Sequence, residues 1–234
     1  MMFSNKYIFI YSSVMVIVVA IALAIAAIQL KPFQENNKRV EKMQNILSSV
    51  NIESTVKNAE ELYKKYITET YVVNNKGEKV EKINAFDIDL YYELKKKPEE
   101  RQLPVYIAKL ENGDTAYIAA LRGKGLWGPI WGYISFKPDM NTVIGSMFDH
   151  KGETPGLGAE IDGKVFQNQF KNKTIFDESG KFTSIQTVKG GAKEGDMHGV
   201  DAISGGTITS KGLEKMLFDC LTDYQGFLTK NKKQ

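Results

Sequence analysis

The chain has 234 residues, of which 31 are basic and 28 are acidic, so its formal net charge is only +3. This near balance gives no strongly basic surface, and a nucleic-acid partner is therefore not expected. Cys220 is the only cysteine, which excludes a disulfide within the chain. His150 and His198 stand apart from each other and from any metal-ligand spacing. The sequence therefore predicts neither a metal site nor a Cys/His nucleophile.

The first feature in chain order is an apolar run, residues 7–30, that contains no charged residue. Roughly 20 apolar residues are enough for a helix to span the hydrocarbon core of a bilayer. The run predicts one transmembrane anchor after a short tail of residues 1–6. A cleaved signal peptide is the alternative, because Lys6 precedes the run and small residues near its end resemble a cleavage site. The run is longer than the apolar region of most signal peptides, which favours the anchor.

The charges that flank this run leave its orientation open. Only Lys6 precedes it, whereas Lys31, Lys38, Arg39 and Lys42 follow it. By the positive-inside rule the larger basic cluster stays in the cytoplasm, and so would the domain behind it. The amino-terminal charge and the similarity to a signal sequence favour export instead. The sequence alone does not decide between the two orientations.

The rest of the chain is long enough for one domain of ordinary size. Residues 31–55 are predicted to form a helical stalk that continues from the anchor, and residues 56–234 a single domain. Within this domain, residues 56–74 carry a second amphipathic helical pattern. Residues 95–101 are expected to form a charged, solvated loop.

Four segments rich in β-branched and aromatic residues predict a central antiparallel sheet. They cover residues 105–108, 115–121, 129–136 and 142–148. The turn Glu111-Asn-Gly-Asp114 between the first two is a hairpin signal. A short helix over residues 159–170 and a further strand over residues 183–188 are expected to follow. The predicted fold class is α+β, an N-terminal transmembrane helix followed by one antiparallel-sheet domain flanked by helices.

The segment Asp201-Ala-Ile-Ser-Gly-Gly-Thr-Ile-Thr-Ser210 opens the last predicted helix. It places hydroxyl groups at the mouth of a helix, where free backbone N–H groups favour an anion such as a phosphate. The ordinary alternative is an N-cap, because Ser/Gly/Thr clusters before helices are common. The helix itself carries an apolar stripe that includes Cys220, whose expected role is that of a small core residue.

Two other glycine-rich segments interrupt the strands. Gly123-Lys-Gly-Leu-Trp-Gly-Pro-Ile-Trp131 places tryptophans among glycines, which offers a flat apolar wall to a ring system or merely caps the core. His150-Lys-Gly-Glu-Thr-Pro-Gly-Leu-Gly158 combines a proline with several glycines, so Glu153, Thr154 and Leu157 are presented from a constrained loop. Such a loop suits a heteroaromatic ligand.

The order of these motifs points to a family. Gly-x-Gly-Leu-Trp is followed by His-x-Gly-Glu-Thr-Pro-Gly-Leu-Gly, then by Lys189-Gly-Gly, then by His198-Gly-Val-Asp-x-x-Ser-Gly-x-Thr. In this order they resemble the flavin-binding domain of the NqrC family, the FMN-carrying subunits of sodium-translocating NADH:quinone oxidoreductases. The anchor, stalk and carboxy-terminal helix match as well, so the resemblance covers nearly the whole chain. The related flavin-carrying subunit of the Rnf electron-transport complex shares the plan and is the nearest alternative.

The resemblance implies a covalently bound FMN whose phosphate is esterified to Thr207. The pattern that a flavin transferase would recognise comprises Asp201, Ser204, Gly205, Gly206 and Thr207. Gly206 stands where the family usually has alanine, and the smaller residue should be tolerated. The residues that would bind the flavin are Leu126, Trp127, Glu153, Thr154, Leu157, Lys189, Ser204 and Gly205. The charge of Lys189 would stabilise negative charge added on reduction.

The resemblance also implies a function for the whole complex. This subunit would relay electrons from NADH towards ubiquinone between neighbouring redox centres, coupled to Na⁺ export, and no residue of its own would act as a catalytic acid or base. Its expected partners are the other membrane subunits, the flavin transferase during maturation, and membrane lipid. It would be a single-pass protein of the bacterial inner membrane with the flavin domain on the outer, periplasmic side.

Two interpretations from other classes stay open. One is a signal-anchored module whose glycine-rich loops hold a ligand without a covalent bond. The other is a structural membrane protein in which the segment from Ser204 to Ser210 only caps a helix.

Overall fold

The computed structural model describes residues 4–232, and the chain divides into two compact units between Lys42 and Met43. Helix α1, Asn5–Ser49, begins in the first unit and ends in the second. Among the described residues, α1 is the one helix long and apolar enough to cross a membrane, with a mean hydropathy of 2.8 over its most apolar window. None of that window is buried, as expected for a surface that faces lipid.

The end of α1 belongs to the second unit, where Met43, Ile46 and Leu47 are buried. Helix α2, Ala59–Tyr66, confirms the first half of the amphipathic pattern predicted over residues 56–74. The second half of that prediction is wrong, because the chain forms strand β1 from Ile67 to Val73. The segment Ile-Thr-Glu-Thr-Tyr-Val-Val is mostly β-branched or aromatic, and it pairs with a neighbouring strand, which overrides the helical spacing.

The second unit is built on a six-stranded antiparallel sheet in the order β2-β1-β3-β4-β5-β6. Besides β1, its strands are β2 (Lys79–Val80), β3 (Leu103–Lys109), β4 (Thr115–Lys124), β5 (Pro129–Phe136) and β6 (Val143–His150). The last four confirm the four predicted strands, and the β3–β4 turn closes as expected, with Gly113 at a φ of 84°. The antiparallel α+β fold class is therefore confirmed.

The short helix α3 (Leu90–Glu93) lies between β2 and β3. Three more short elements, α4 (Lys164–Gln167), β7 (Gln186–Val188) and β8 (Gly199–Asp201), lie between β6 and the last helix, α5 (Thr207–Asn231). The helix predicted over residues 159–170 is broken into three short turns, because Gly163 has an extended backbone. The strand predicted over residues 183–188 is shorter, since Ser184 takes a left-handed φ of 60°. Strand β7 pairs with β8 in parallel.

Helix α5 packs against β4 through a stripe of fully buried side chains. The buried stripe comprises Leu213, Met216, Leu217, Cys220, Leu221, Tyr224, Phe227 and Leu228. The Tyr224 hydroxyl donates to the Pro104 carbonyl at 2.7 Å, which ties the helix to the sheet. Cys220 is a core residue as expected, and burial raises the pKa of its thiol to about 12. The thiol is therefore protonated at neutral pH.

Near its beginning, α5 approaches β4 so closely that two positions leave no room for a side chain. A Cβ atom on Gly123 of β4 would lie 2.6 Å from the Met216 Cβ, and one on Gly212 would press against the backbone of Lys124. Both positions therefore need glycine for the helix to lie directly on the strand. As a result, the first turn of α5 is held beside the β4–β5 hairpin turn.

The loop over residues 95–101 is largely exposed, as predicted, but Arg101 at its end is not. Arg101 donates from Nη1 to both carboxylate oxygens of Asp223 in α5, at 2.9 and 2.6 Å. The same guanidinium donates to the carbonyls of Leu94 and Lys96. The Asp223 side chain is only 7% exposed, so this ion pair fastens the charged loop to the helix.

Candidate functional site

The hydroxyl groups of the segment that opens α5 are of two kinds, buried and exposed. Ser210 is buried; its Oγ accepts from the Ile203 N–H and donates to the Gly206 carbonyl, both at 3.0 Å. Thr209 is also buried, and its hydroxyl donates to Glu153 Oε2 at 2.5 Å. Ser204 and Thr207 are exposed. Only these two are open to a ligand.

Thr207 differs from Ser204 in its place on the helix. Thr207 is the first residue of α5, and Gly206 precedes it without any side-chain cap on the helix end. The N–H groups in the first turn of a helix lack partners within the helix and, together with the helix dipole, favour an anion. An anionic group bound to the Thr207 hydroxyl would therefore lie at a helix N-terminus.

The second segment forms the β4–β5 hairpin turn, with Leu126 and Trp127 at its tip. The turn is closed by a hydrogen bond of 2.8 Å from the Gly125 N–H to the Gly128 carbonyl. Leu126 is 45% exposed and Trp127 is 70% exposed. These two large apolar side chains are open to solvent, which is characteristic of a surface that receives a ligand or a partner.

The third segment contains Glu153, which contacts both the β4–β5 hairpin turn and the segment that opens α5. Its carboxylate accepts hydrogen bonds from the Trp127 N–H at 2.9 Å and from the Leu126 N–H at 3.3 Å, besides that from the Thr209 hydroxyl. Burial by itself raises the pKa of Glu153, but the hydrogen bonds from Thr209 and from the hairpin N–H groups outweigh it and lower the pKa. Glu153 is therefore ionised at neutral pH.

The same segment then turns at Gly156, which has a φ of 73°. The N–H groups of Leu157 and Ala159 both donate to the Thr154 carbonyl at 3.1 Å. Leu157 remains 41% exposed and lies against Gly205, where an added Cβ would come within 2.5 Å of a Leu157 methyl carbon. Gly205 also has a φ of 72°, so the position requires glycine for two reasons.

Lys189 reaches the same place through strand pairing. Val188 pairs with Asp201 at the ends of the parallel strands β7 and β8, so Lys189 and the segment from Asp201 to Ser210, here called the acceptor segment, leave the sheet side by side. The Asp201 carboxylate accepts from the Ala192 N–H at 2.7 Å and so holds the intervening glycine loop. Lys189 is exposed, and its ammonium group is available to an anion.

The fold thus brings the hairpin turn, the Glu153 segment and the segment that opens α5 together, and Lys189 follows the strand that pairs with the start of that segment. An exposed hydroxyl, free helix N–H groups, exposed apolar side chains and a lysine suit a flavin phosphate and its ring. Motif-based reasoning did not assign a role to Thr209, which binds Glu153, or to Ile208, which is 60% exposed beside Thr207. In the sequence, only their position in the first turn of the predicted helix marks these two residues as part of the site.

Comparison with known families assigns this arrangement to a class. The model of the FMN-binding domain family matches residues 125–222, which contain the hairpin turn, the Glu153 segment and the acceptor segment. These segments thus belong to an FMN-binding domain, and the protein is of the flavoprotein class.

Individual relatives narrow the assignment. The NqrC subunit of the Na⁺-translocating NADH-quinone reductase of Vibrio parahaemolyticus is 35% identical over 209 residues, covering 81% of this chain and 80% of that protein. The corresponding subunit of Haemophilus ducreyi is 33% identical over 204 residues, covering 81% and 79%. The crystal structure of the corresponding subunit from Parabacteroides distasonis has a TM-score of 0.78 and 48% identity, covering 86% of this chain and 97% of that one. The chain belongs to the NqrC family of Na⁺-translocating NADH-quinone reductase subunits.

Proposed function

We propose that the protein carries FMN covalently, through a phosphoester between the flavin phosphate and the Thr207 hydroxyl. The observation that carries this proposal is the difference among the hydroxyls of the acceptor segment. Thr209 and Ser210 are buried and hydrogen-bonded, whereas Thr207 is exposed at the first position of α5. The Thr207 hydroxyl oxygen attacks the flavin phosphate of an activated donor, a phosphoanhydride of FMN that a flavin transferase binds; the anhydride P–O bond breaks, and the other half of the anhydride leaves with the hydroxyl proton. The product has the mass of the chain plus FMN minus one water.

The remaining residues of the site hold the group in place. The first-turn N–H groups of α5 and the Lys189 ammonium bind anionic oxygens. Leu126, Trp127 and Leu157 cover the ring, and the exposed Thr154, Ser204 and Gly205 complete the border of the site. The flavin supplies one-electron redox chemistry when bound, and the side chains position it and set the surrounding charge.

In the assembled reductase this subunit relays electrons from NADH towards ubiquinone, and the whole complex couples the transfer to Na⁺ export. Its partners are the other membrane subunits, with helix α1 as its anchor in the lipid of the inner membrane. We place the flavin domain on the periplasmic side. A covalent bond has a clear physical purpose there, because a dissociated FMN would be lost from the cell.

Intact mass tests the attachment. The full chain is co-expressed with a flavin transferase, and we expect a mass increase equal to FMN minus water together with flavin fluorescence in a denaturing gel. Thr207→Ala should abolish both signals, whereas Ser204→Ala, which removes the other exposed hydroxyl, should leave the attachment point intact. Fluorescence that survives Thr207→Ala would disprove the assignment. An unmodified wild-type chain from a competent host would disprove covalent binding itself.

A further inference from the structure

The β4–β5 hairpin turn is short and lacks the backbone conformation that normally stabilises such turns. Two central residues, Leu126 and Trp127, separate Gly125 from Gly128. Two-residue hairpin connections usually need a positive φ at one or both central residues, so that their twist matches that of the strands. Neither Leu126 nor Trp127 has a positive φ. Support from outside the turn is therefore needed to hold it in this form.

The Glu153 carboxylate provides that support. Oε1 accepts from the Trp127 N–H at 2.9 Å and Oε2 from the Leu126 N–H at 3.3 Å. Oε2 also accepts from the Thr209 hydroxyl in the first turn of α5, at 2.5 Å. Glu153 is only 4% exposed, so water competes little for these oxygens. One ionised group thus joins the hairpin turn to the helix that carries Thr207.

Two glycines, Gly125 and Gly158, border the space that this carboxylate occupies. A Cβ atom on Gly125 would lie 2.6 Å from Oε1, and one on Gly158 would lie 2.7 Å from Oε2. Any larger residue at either position would displace the carboxylate. The backbone N–H of Glu153 donates to His150 Nδ1 at 3.1 Å, and this hydrogen bond fixes the backbone from which the carboxylate extends.

We propose that Glu153 is a positioning residue of the flavin site. It holds the Leu126–Trp127 turn at a fixed place beside the first turn of α5, and it acts through those residues, without touching the flavin. This inference rests on the proposed function, because the turn forms the apolar wall against which the ring lies. Its consequence is that neutralising Glu153 loosens the wall while the Thr207 hydroxyl remains in place.

Hydrogen exchange measured by mass spectrometry tests the positioning without any flavin. The full-length Thr207→Ala chain in detergent is compared with and without Glu153→Gln. The neutral amide turns a donor group towards the hairpin N–H groups, so exchange in the peptide over residues 125–128 should rise about tenfold or more. Glu160→Gln is the matched control, because Glu160 lies in the same loop and accepts from the Gly156 N–H but is exposed. It should leave exchange over residues 125–128 unchanged.

A second measurement uses the flavinylated chain. Glu153→Gln with Thr207 intact should still gain the FMN mass, but the anisotropy of flavin fluorescence should fall because the wall is no longer fixed. Thr209→Val removes one of the donors to the carboxylate and should give an intermediate increase in exchange. This milder variant decides the question if Glu153→Gln does not fold.

The outcomes separate the two proposals. Unchanged exchange over residues 125–128, or an equal rise throughout β4, β5 and α5, would overturn the positioning role, since the latter reports general destabilisation. Unchanged flavin anisotropy with loosened turn amides would also overturn it. If the wild-type chain takes up no FMN, the covalent attachment fails, and the exchange comparison still decides whether Glu153 holds the turn.

Discussion

Replacing Thr209 by valine removes one hydroxyl and nearly preserves the shape of the side chain. Thr209 is 1% exposed and donates at 2.5 Å to Glu153 Oε2, which belongs to a side chain that is itself buried. A hydrogen bond to a charged group contributes roughly 1.5–3 kcal/mol, and burial of both partners places this one in the upper part of that range. We therefore expect Thr209→Val to lower the free energy of unfolding by about 2–3 kcal/mol.

Urea unfolding of the full chain in detergent, followed by tryptophan fluorescence, measures this loss, because Trp127 and Trp131 both lie in the second unit. Thr222→Val is the matched control. Thr222 lies in the same helix and donates to the Phe218 carbonyl at 2.7 Å, but it is exposed. Its replacement should change the free energy of unfolding by no more than about 0.5 kcal/mol.

The effect of Thr209→Val should depend on pH with a defined sign. Because the folded state lowers the pKa of Glu153 from 4.5, its ionised form stabilises the fold above that value, and this contribution is lost as pH falls through the folded pKa. The variant removes a cause of the lowering, so its penalty should be full at pH 7 and shrink in acid, where Glu153 is protonated in both proteins. A penalty below about 0.5 kcal/mol at pH 7, or one independent of pH, would refute the reasoning.

Two further predictions concern the ion pair between Arg101 and Asp223 and the side of the membrane on which the flavin domain lies. Arg101→Ala leaves the buried Asp223 carboxylate unpaired, so the same urea assay should show a loss of about 3–5 kcal/mol, with the exposed Lys97→Ala as control. Burial already raises the pKa of Asp223 and Arg101 opposes it, so the loss should be greater at pH 7 than at pH 5, and an equal loss at both would contradict the assignment. Alkaline phosphatase fused to the carboxy terminus should be active and a cytoplasmic reporter silent; the reverse pattern would place the domain inside, as the basic cluster of residues 31–42 suggests.

The sequence correctly predicted the strands and the helix whose side chains form the core of the second unit. The β-branched and aromatic segments of β3 to β6 and the apolar stripe along α5 are read from neighbouring residues, and the structure confirms them. Prediction failed at Ile67–Val73, where pairing with β3 overrides a helical spacing. In the largely exposed loop over residues 95–101 it missed the ion pair of Arg101, because the acidic partner lies 122 positions away in α5.

The site follows the same division. The motifs and their order identified the family, which the comparisons confirm, and they named Thr207 and the residues expected around it. Attachment at Thr207 and contact of the other named residues with flavin remain predictions, whereas Glu153, also named for contact, is proposed to act through the hairpin turn instead. The sequence alone could not distinguish four nearby hydroxyls by their environment, nor show that Glu153 faces the helix and the hairpin turn.

By itself, the sequence determined the apolar anchor, the four strands β3 to β6, the last helix and the family, because composition, periodicity and motifs are properties of residues close together in the chain. Only the tertiary structure decided which hydroxyls are buried and which carboxylate joins the hairpin turn to α5. Thr209 and Glu153 are 56 positions apart, and their hydrogen bond exists only after the sheet has placed both at the same end of β4. Burial and hydrogen bonding across such distances depend on packing, and no local pattern encodes them.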